Sequence, residues 1–572
     1  MRKLIKLASI LLVILLVISA LAACSGSGTQ TDRQDTASNA GDDKGTSGDS
    51  GEEAKSGPSW TWDTSPITID WYISEGWYNK TWDAENCLVD KEITEKTGIT
   101  VNISTPAGDA DEKLNAMIAS DTLPDVLTMG WWYGQFQQMQ EAGMLYPLNE
   151  LVDEYAPTMK PLIPESMMKW YTYEDGNWYG FPNFYWAEEH LTEDNYIKTN
   201  AGMIARKDIM TQLDIKEEDF NTQDSMVAAL RKVKDAGMEY QGVNVTPVYF
   251  GPMGGVGCTF DWVLPGMFAV PREDEEGNLI YMRKHPKYLE VLKFGNRLYR
   301  EGLVSQENFT SDRKQIEERM VSGGIFTFIG NMADYKGQIK DLYRTDNAAE
   351  YIPVGPVRAQ DGAEPQLVST GMNGWTVTMI SRNAKNPDRI IRFIEFLYSE
   401  EGLMLTSHGV EGVTYNMEDG KVVYTDEYIN AVNEDSAAAT LKYGVGTWYW
   451  INNPVFLQNV EPAPATRPDE ISVNIDKYFA QWVYNDAAFD NINPRGGTDE
   501  AAMDAEIGVY WEKQFVKMIM AESEEELERI YNETIKHIDE LGAEQVYKVN
   551  NERFQANKAK LGIDFAWPPN KN

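Results

Sequence analysis

Residues 67–73, ITIDWYI, alternate apolar and polar side chains in the manner of a half-buried strand. Residues 88–97, LVDKEITEKT, have the apolar spacing of a helix, and residues 99–103, ITVNI, predict a second strand directly after it. The same order repeats as a helix over 109–120 and a strand over 123–129. Strands that alternate with helices predict a parallel sheet, so this stretch places the chain in the α/β class.

Aromatic residues follow the third of these strands. Ligands of open α/β sheets bind at the carboxyl ends of the strands, which is where Trp131, Trp132 and Tyr133 stand. A second α/β pattern begins at 196–203, and 323–331 predicts a buried strand that ends in a polar residue. Because the chain has 572 residues, two lobes of ordinary size are expected.

The first 58 residues have a different character. Residues 1–23 combine a basic start, an apolar run and a small-residue end, which is the pattern of a secretory signal peptide. Leu-Ala-Ala-Cys looks like a bacterial lipobox, so Cys24 is the predicted site of lipid attachment, with a plainly cleaved signal as the alternative. Residues 24–58 are rich in Gly, Ser, Thr, Asp and Glu and have no aromatic residue, which predicts a disordered tether. The folded part is therefore expected on the extracellular face of the cell membrane, anchored by lipid.

The composition excludes some partners. The formal net charge of −38 disfavours nucleic acid and anionic lipid, since both are held by clusters of Lys and Arg. Besides Cys24 the chain has Cys87 and Cys258, which are too few for a disulfide framework. The sequence does not decide whether these two cysteines form a single disulfide.

No cofactor or metal is predicted. The glycine-rich stretch at 251–257 lacks the Gly-Lys-Ser/Thr ending of a phosphate loop. The acids at 273–278 lack the spacing of a calcium loop, and the four histidines are scattered.

The chain resembles the extracellular solute-binding protein family 1, the lipoprotein component of bacterial carbohydrate ABC importers. The resemblance rests on the lipobox, Leu123-Pro124-Asp125-Val126, Gly180-Phe181-Pro182, Ala205-Arg206-Lys207-Asp208, Gly374-Trp375, Asn386-Pro387, Glu401-Gly402, Gly409-Val410-Glu411-Gly412-Val413 and the helix over 511–520. It implies an α/β, two-lobed periplasmic-binding-protein-like fold of type II, with a hinge and a ligand cleft between the lobes.

The same resemblance implies where the lobes divide. It places the hinge near 179–197 with a return crossing near 368–374. The first lobe is then expected to comprise residues 59–185 plus about 373–410, and the second lobe 186–372 plus about 411–572 with the C-terminal helices. Closure of such lobes is a hinge motion that is driven by better ligand contacts in the closed state.

A sugar offers apolar C–H faces and a rim of hydroxyls, so a binder needs flat aromatic rings and planar polar groups. The chain is 11% aromatic with 17 Trp, many of which must be core. The candidate stacking rings follow strand ends or the expected hinge, or lie in the late Trp-Tyr-Trp stretch: Trp77, Trp131, Trp132, Tyr185, Trp186, Trp262, Trp375 and Trp448. The resemblance implies ligand contacts at Trp132 and Trp262. The candidate polar partners, each of which also fits a cap or a turn, are Asp261, Asn331, Asn373 and Glu411.

These features predict a monomeric binding protein, not an enzyme, that captures an oligosaccharide and delivers it to separate importer permease subunits. A surface-anchored glycoside hydrolase is the alternative from another class, because such chemistry needs only two carboxylates and the chain has 89 acidic residues. A ligand sensor or a peptide-binding protein of the same fold also remains open.

Overall fold

The computed structural model describes residues 56–108, 110–191, 196–252, 258–464 and 466–571. The predictions for the signal peptide, for lipid attachment at Cys24 and for most of the tether lie outside the described residues, as does most of the glycine-rich stretch. Within these ranges, no helix is long and apolar enough to cross a bilayer.

A five-stranded sheet forms the first lobe. Its strand order is β2-β1-β3-β11-β4, with β1 parallel to β2 and β3, and β11 antiparallel to β3 and β4. The strands are β1 (Ile67–Ile73), β2 (Ile99–Ser104), β3 (Val126–Gly130), β4 (Phe181–Pro182) and β11 (Thr376–Ile380). The end of β3 and the start of β11 therefore lie side by side at one edge of the sheet.

A four-stranded sheet of order β10-β5-β9-β8 forms the second lobe, with β5 antiparallel to both neighbours and β8 parallel to β9. Its strands are β5 (Ala201–Arg206), β8 (Thr246–Phe250), β9 (Ile325–Asn331) and β10 (Tyr351–Pro353). Two small hairpins are built from β6 (Glu239–Tyr240) with β7 (Val243–Asn244), and from β12 (Tyr415–Glu418) with β13 (Lys421–Tyr424).

Helices surround both sheets. The helices that precede β4 are α1 (Leu88–Thr97), α2 (Ala110–Ser120), α3 (Gly134–Glu141), α4 (Leu148–Tyr155) and α5 (Glu165–Tyr171). The helices between β5 and β11 are α6 (Lys207–Gln212), α7 (Gln223–Ala236), α8 (Leu264–Met267), α9 (Pro286–Arg300), α10 (Arg313–Val321) and α11 (Lys336–Thr345). The remainder are α12 (Pro387–Tyr398), α13 (Glu400–His408), α14 (Asp426–Glu434), α15 (Ser436–Tyr443), α16 (Pro454–Asn459), α17 (Arg467–Ala480), α18 (Asp499–Ile519), α19 (Glu524–Glu540) and α20 (Ala543–Leu561).

Local sequence signals explain several of these boundaries. Helix α1 ends at Gly98, whose φ of 71° is the left-handed conformation that glycine adopts without strain. Helix α19 begins after Ser523, whose hydroxyl accepts a hydrogen bond from the Glu526 amide. Pro387 is the first residue of α12, where an amide N–H has no hydrogen-bond partner within the helix, so proline loses no hydrogen bond there.

The two sheets have separate hydrophobic cores. The core of the first sheet includes Trp71, Phe181 and Ile394, and that of the second includes Met203, Phe250 and Ile329. The segment Trp448–Ile451 packs in the core of the first sheet. The lobe boundaries stay a prediction, in which residues after about 410 belong to the second lobe. From the packing of 448–451 we propose that this segment belongs to the first lobe.

The chain crosses between the sheets after β4 and returns before β11, at the two places expected for the hinge. The crossings run side by side: Tyr185 pairs with Asn373, and the Trp186 amide donates to the Met372 carbonyl at 2.8 Å. A further bond joins the Thr370 amide to the Lys198 carbonyl at 2.9 Å. Paired strands of this kind connect two lobes while leaving them able to rotate.

Candidate functional site

Three tryptophans gather at the edge of the first sheet where β1 ends and β11 begins. Trp77 and Trp375 are near-parallel, with ring centroids 6.4 Å apart and an interplanar angle of 24°, and Trp450 lies 5.6 Å from Trp375. Trp450 is fully buried and forms the base, whereas the Trp77 side chain is 57% exposed. A large exposed aromatic ring on a buried aromatic base is a ready stacking surface.

A second pair of rings follows β3 at the same edge. The Trp131 indole donates to the Gly374 carbonyl at 2.8 Å, which fixes this ring against the return crossing. Trp132 lies edge-on to Trp131 with centroids 5.5 Å apart and stays 37% exposed. The Trp132 ring can take this position because residue 130 is glycine, where a Cβ would lie 2.6 Å from the ring.

The second lobe contributes Asp261 and Trp262, which lie in a single π-helical turn over Thr259–Val263. The half-buried Trp262 ring packs against the cluster that contains Val368, Tyr484 and Phe489. Asp261 accepts hydrogen bonds from the Tyr288 hydroxyl at 2.5 Å and from the Arg283 guanidinium at 2.9 Å.

Asn373 joins the two sides. Its side-chain amide is 3% exposed and donates to Asp490 Oδ2 at 2.8 Å and to the Ala487 carbonyl at 3.3 Å. Burial, with the charge of Asp486 added to it, raises the pKa of Asp490 well above its usual range. Asn373 thus links the crossing that carries Trp375 to the chain segment that packs on Trp262.

The remaining predicted site residues have other positions. Tyr185 and Trp186 are buried in the crossing at 6% and 4% exposure, and the Trp186 indole donates to Thr370 Oγ1. The Asn331 side chain caps the turn after β9 by accepting from the Ala333 amide, and Glu411 is exposed beside Tyr415. Among the described residues, none of these four side chains makes a ring contact with Trp77 or Trp375.

Trp448 requires a correction. Its ring is 1% exposed and meets Trp71 edge-on with centroids 5.1 Å apart inside the first core. A ligand in a cleft has no access to such a ring, so the structure does not support the predicted contact. The late Trp-Tyr-Trp stretch contributes the base of the site through Trp450 instead.

Sequence reasoning missed the charged groups around Trp262. Arg272 lies with Asp486 and Asp490, which come from a distant part of the chain, and Arg283 pairs with Asp261. No local motif marks these groups. Arg206, in contrast, is fully buried and bonded to Asp208 and to the Gly323 carbonyl, which makes it structural.

Cysteines and metal ligands add nothing to the site. Cys87 and Cys258 are both buried, and no disulfide joins them in the described part of the chain. Among the described residues, no group of three or more His, Cys, Asp or Glu is placed to hold a metal ion.

An α/β fold of two lobes, joined by paired crossings and carrying exposed aromatic rings at the junction, defines a ligand-binding protein of the periplasmic-binding type. The chain matches the family model of bacterial extracellular solute-binding proteins over residues 83–404, more than half its length, and it belongs to that family.

The chain is also similar to individual curated proteins. The chain is 24% identical over 240 residues to the fructooligosaccharide ABC transporter substrate-binding protein FusA of Streptococcus pneumoniae, a match that covers 40% of this chain and 44% of FusA. It is 22% identical over 349 residues to the polygalacturonan/rhamnogalacturonan-binding protein YtcQ of Bacillus subtilis, which covers 58% of this chain and 64% of YtcQ. The match therefore spans less than two thirds of either relative.

The solved structure of S. pneumoniae FusA in complex with kestose superposes with a TM-score of 0.63 at 15% identity, covering 86% of this chain and 100% of that chain. At this identity the likeness concerns the fold, which it shows to be the two-lobed solute-binding one.

Proposed function

We propose that the chain is an extracellular, lipid-anchored solute-binding protein that captures an oligosaccharide between its lobes and delivers it to the permease of an ABC importer. The observation that carries the proposal is the aromatic edge of the first sheet, where Trp77, Trp131, Trp132 and Trp375 surround the end of the return crossing. Family membership and the names of the relatives support a glycan as the ligand.

Stacking rings suit a glycan because each sugar unit presents an apolar C–H face. Two separate pairs of rings, Trp77 with Trp375 and Trp131 with Trp132, offer more stacking area than one sugar ring covers. An oligosaccharide is therefore the proposed ligand rather than a monosaccharide.

Lobe closure is the proposed mechanism. A ligand that touches both Trp375 on the first lobe and Trp262 on the second binds the closed arrangement better than the open one, which shifts the population toward closure. The paired crossings at Tyr185 and Asn373 are the hinge about which that rotation takes place. No catalytic role is proposed for any residue, and lipid attachment is proposed at Cys24 from the lipobox.

The proposal is tested by isothermal titration of the purified protein with neutral and acidic tetrasaccharides, followed by mass spectrometry of the recovered ligand. We expect one glycan per protein, recovered intact, and weaker binding by Trp375→Ala. Trp62→Ala is the matched control, because Trp62 is half-buried near the start of the described chain and donates to the Gly57 carbonyl. Failure of every glycan to bind, or recovery of a cleaved product, contradicts the proposal.

A further inference from the structure

Two guanidinium groups border the second-lobe side of the candidate site, and both already have acidic partners. Arg283 donates to Asp261 Oδ2 at 2.9 Å, and its guanidinium lies 4.6 Å from the centroid of the Trp511 ring. The side chains of Arg283 and Asp261 keep 25% and 32% of their surface exposed, so this ion pair faces solvent at the position of Trp262.

Arg272 also has an acidic partner, and it lies against the apolar cluster on which Trp262 packs. Its Nη1 lies 3.9 Å from Asp486 Oδ2 and 3.3 Å from the Tyr484 hydroxyl, and its guanidinium stacks 3.9 Å from the centroid of Phe489. Asp486 is fixed in turn by the Ser369 hydroxyl, which donates to it at 2.6 Å. The Arg272 charge is therefore balanced inside the protein.

Asp490 adds a third carboxyl group to these two pairs. It accepts from Asn373, which lies two residues before Trp375, so the acid is placed at the junction between the aromatic edge and Trp262. Three acids accompany two guanidinium groups here. A ligand carboxylate that entered this region would find no unpaired cation among these five residues.

The cost of that encounter is electrostatic. A carboxylate that leaves water needs an opposite charge and hydrogen-bond donors to compensate for its lost hydration. Sugar hydroxyls have no such need, because they donate to carboxylate oxygens such as those of Asp261 and accept from guanidinium N–H groups. Pre-paired acids and arginines therefore offer both donors and acceptors to a neutral glycan.

We infer that this site selects oligosaccharides without carboxylate groups, and that it rejects oligomers of uronic acids because Asp261 and Asp486 occupy the arginines that would receive them. The inference rests on the proposed function and narrows its substrate class. Asp261 and Asp486 are specificity-determining residues in this account.

The test compares tetrasaccharides of equal length by isothermal titration: neutral glucan, mannan, xylan and fructan fragments against galacturonate, mannuronate and guluronate fragments. Asp261→Asn frees the Arg283 charge while keeping an amide oxygen that can accept from Tyr288. We expect the wild type to bind a neutral tetrasaccharide far more tightly than any uronate. We expect Asp261→Asn to gain about tenfold or more in uronate affinity, the effect of one new charge-assisted hydrogen bond.

Asp235→Asn is the matched control, because it removes the same single charge from the exposed last turn of α7 and is expected to change neither affinity. If the wild type binds a uronate as tightly as a neutral tetrasaccharide, the inference is overturned but glycan capture is not. A cation outside the two pairs would then take the carboxylate, such as Arg553, which donates to the Asn491 side chain next to Asp490. If wild type rejects uronates but Asp261→Asn gains none, the pairing argument is overturned. Binding of neither class removes the proposed function, and the inference with it.

Discussion

Replacement of Trp77 by alanine is expected to weaken glycan binding while leaving the free protein almost as stable as before. Trp77 is 57% exposed, so its indole contributes little to the hydrophobic core. Exposed side chains of this kind change the free energy of unfolding by roughly 0.5 kcal/mol when truncated. The ring nevertheless forms the outer layer of the stack on Trp375 and Trp450.

The size of the affinity loss follows from the exposed area. A tryptophan side chain buries at most about 250 Å², so 57% exposure leaves about 140 Å². A sugar stacked on the free face covers about half of that, or about 70 Å², which at about 25 cal/mol per Å² is worth about 1.8 kcal/mol. That loss corresponds to roughly a 20-fold rise in Kd.

The assay is isothermal titration of wild type and Trp77→Ala with the same glycan, paired with thermal unfolding of both proteins without ligand. The reasoning predicts a large change in Kd and a small change in Tm. An unchanged Kd would remove Trp77 from the site. A large fall in the Tm of the free variant would show that the ring is structural and that any affinity loss is indirect.

Three further outcomes concern stability. Lys558→Met should lower the free energy of unfolding by about 3–5 kcal/mol in chemical denaturation, because it leaves the buried Glu273 carboxylate without its cation; a loss below about 1 kcal/mol would contradict this. Gly374→Ala should lower the free energy of unfolding more than Gly362→Ala. Both glycines have positive φ, but only at Gly374 would a Cβ lie 1.9 Å from a backbone oxygen. Equal midpoints of chemical denaturation for the two variants would refute this. Burial lowers the pKa of His408 to about 4 from an ordinary value of 6.5, so the unfolded chain takes up the proton first as the pH falls. The free energy of unfolding should therefore fall by up to about 3 kcal/mol between pH 6.5 and 4. His408→Gln should reduce this pH dependence.

Much of the fold could be predicted because local signals agree with the tertiary structure. The predicted strand 67–73 and helix 88–97 have the observed bounds, since each combines a clear apolar period with a definite end signal. The third strand begins at Val126 rather than at residue 123. Pro124 has no amide hydrogen to donate to a ladder, and the Asp125 side chain accepts from the Asp70 amide instead.

The site was harder to predict because its residues meet only in three dimensions. Trp77 follows a strand end and Trp375 follows the expected return crossing, and the structure stacks the two rings. Trp448 lies in an irregular segment with no period that could show which ring faces the core. The pairing of Arg272 with Asp486 spans more than 200 positions of the chain, so no spacing rule could have found it.

Capture of an oligosaccharide without chemical change is what distinguishes a solute-binding protein from a glycoside hydrolase. Native mass spectrometry of the purified protein with a mixed oligosaccharide library tests it most directly, because it reports stoichiometry and ligand mass together. We expect a single adduct whose mass is that of one intact oligosaccharide. The absence of any glycan adduct, or an adduct with the mass of a hydrolysis product, would contradict it.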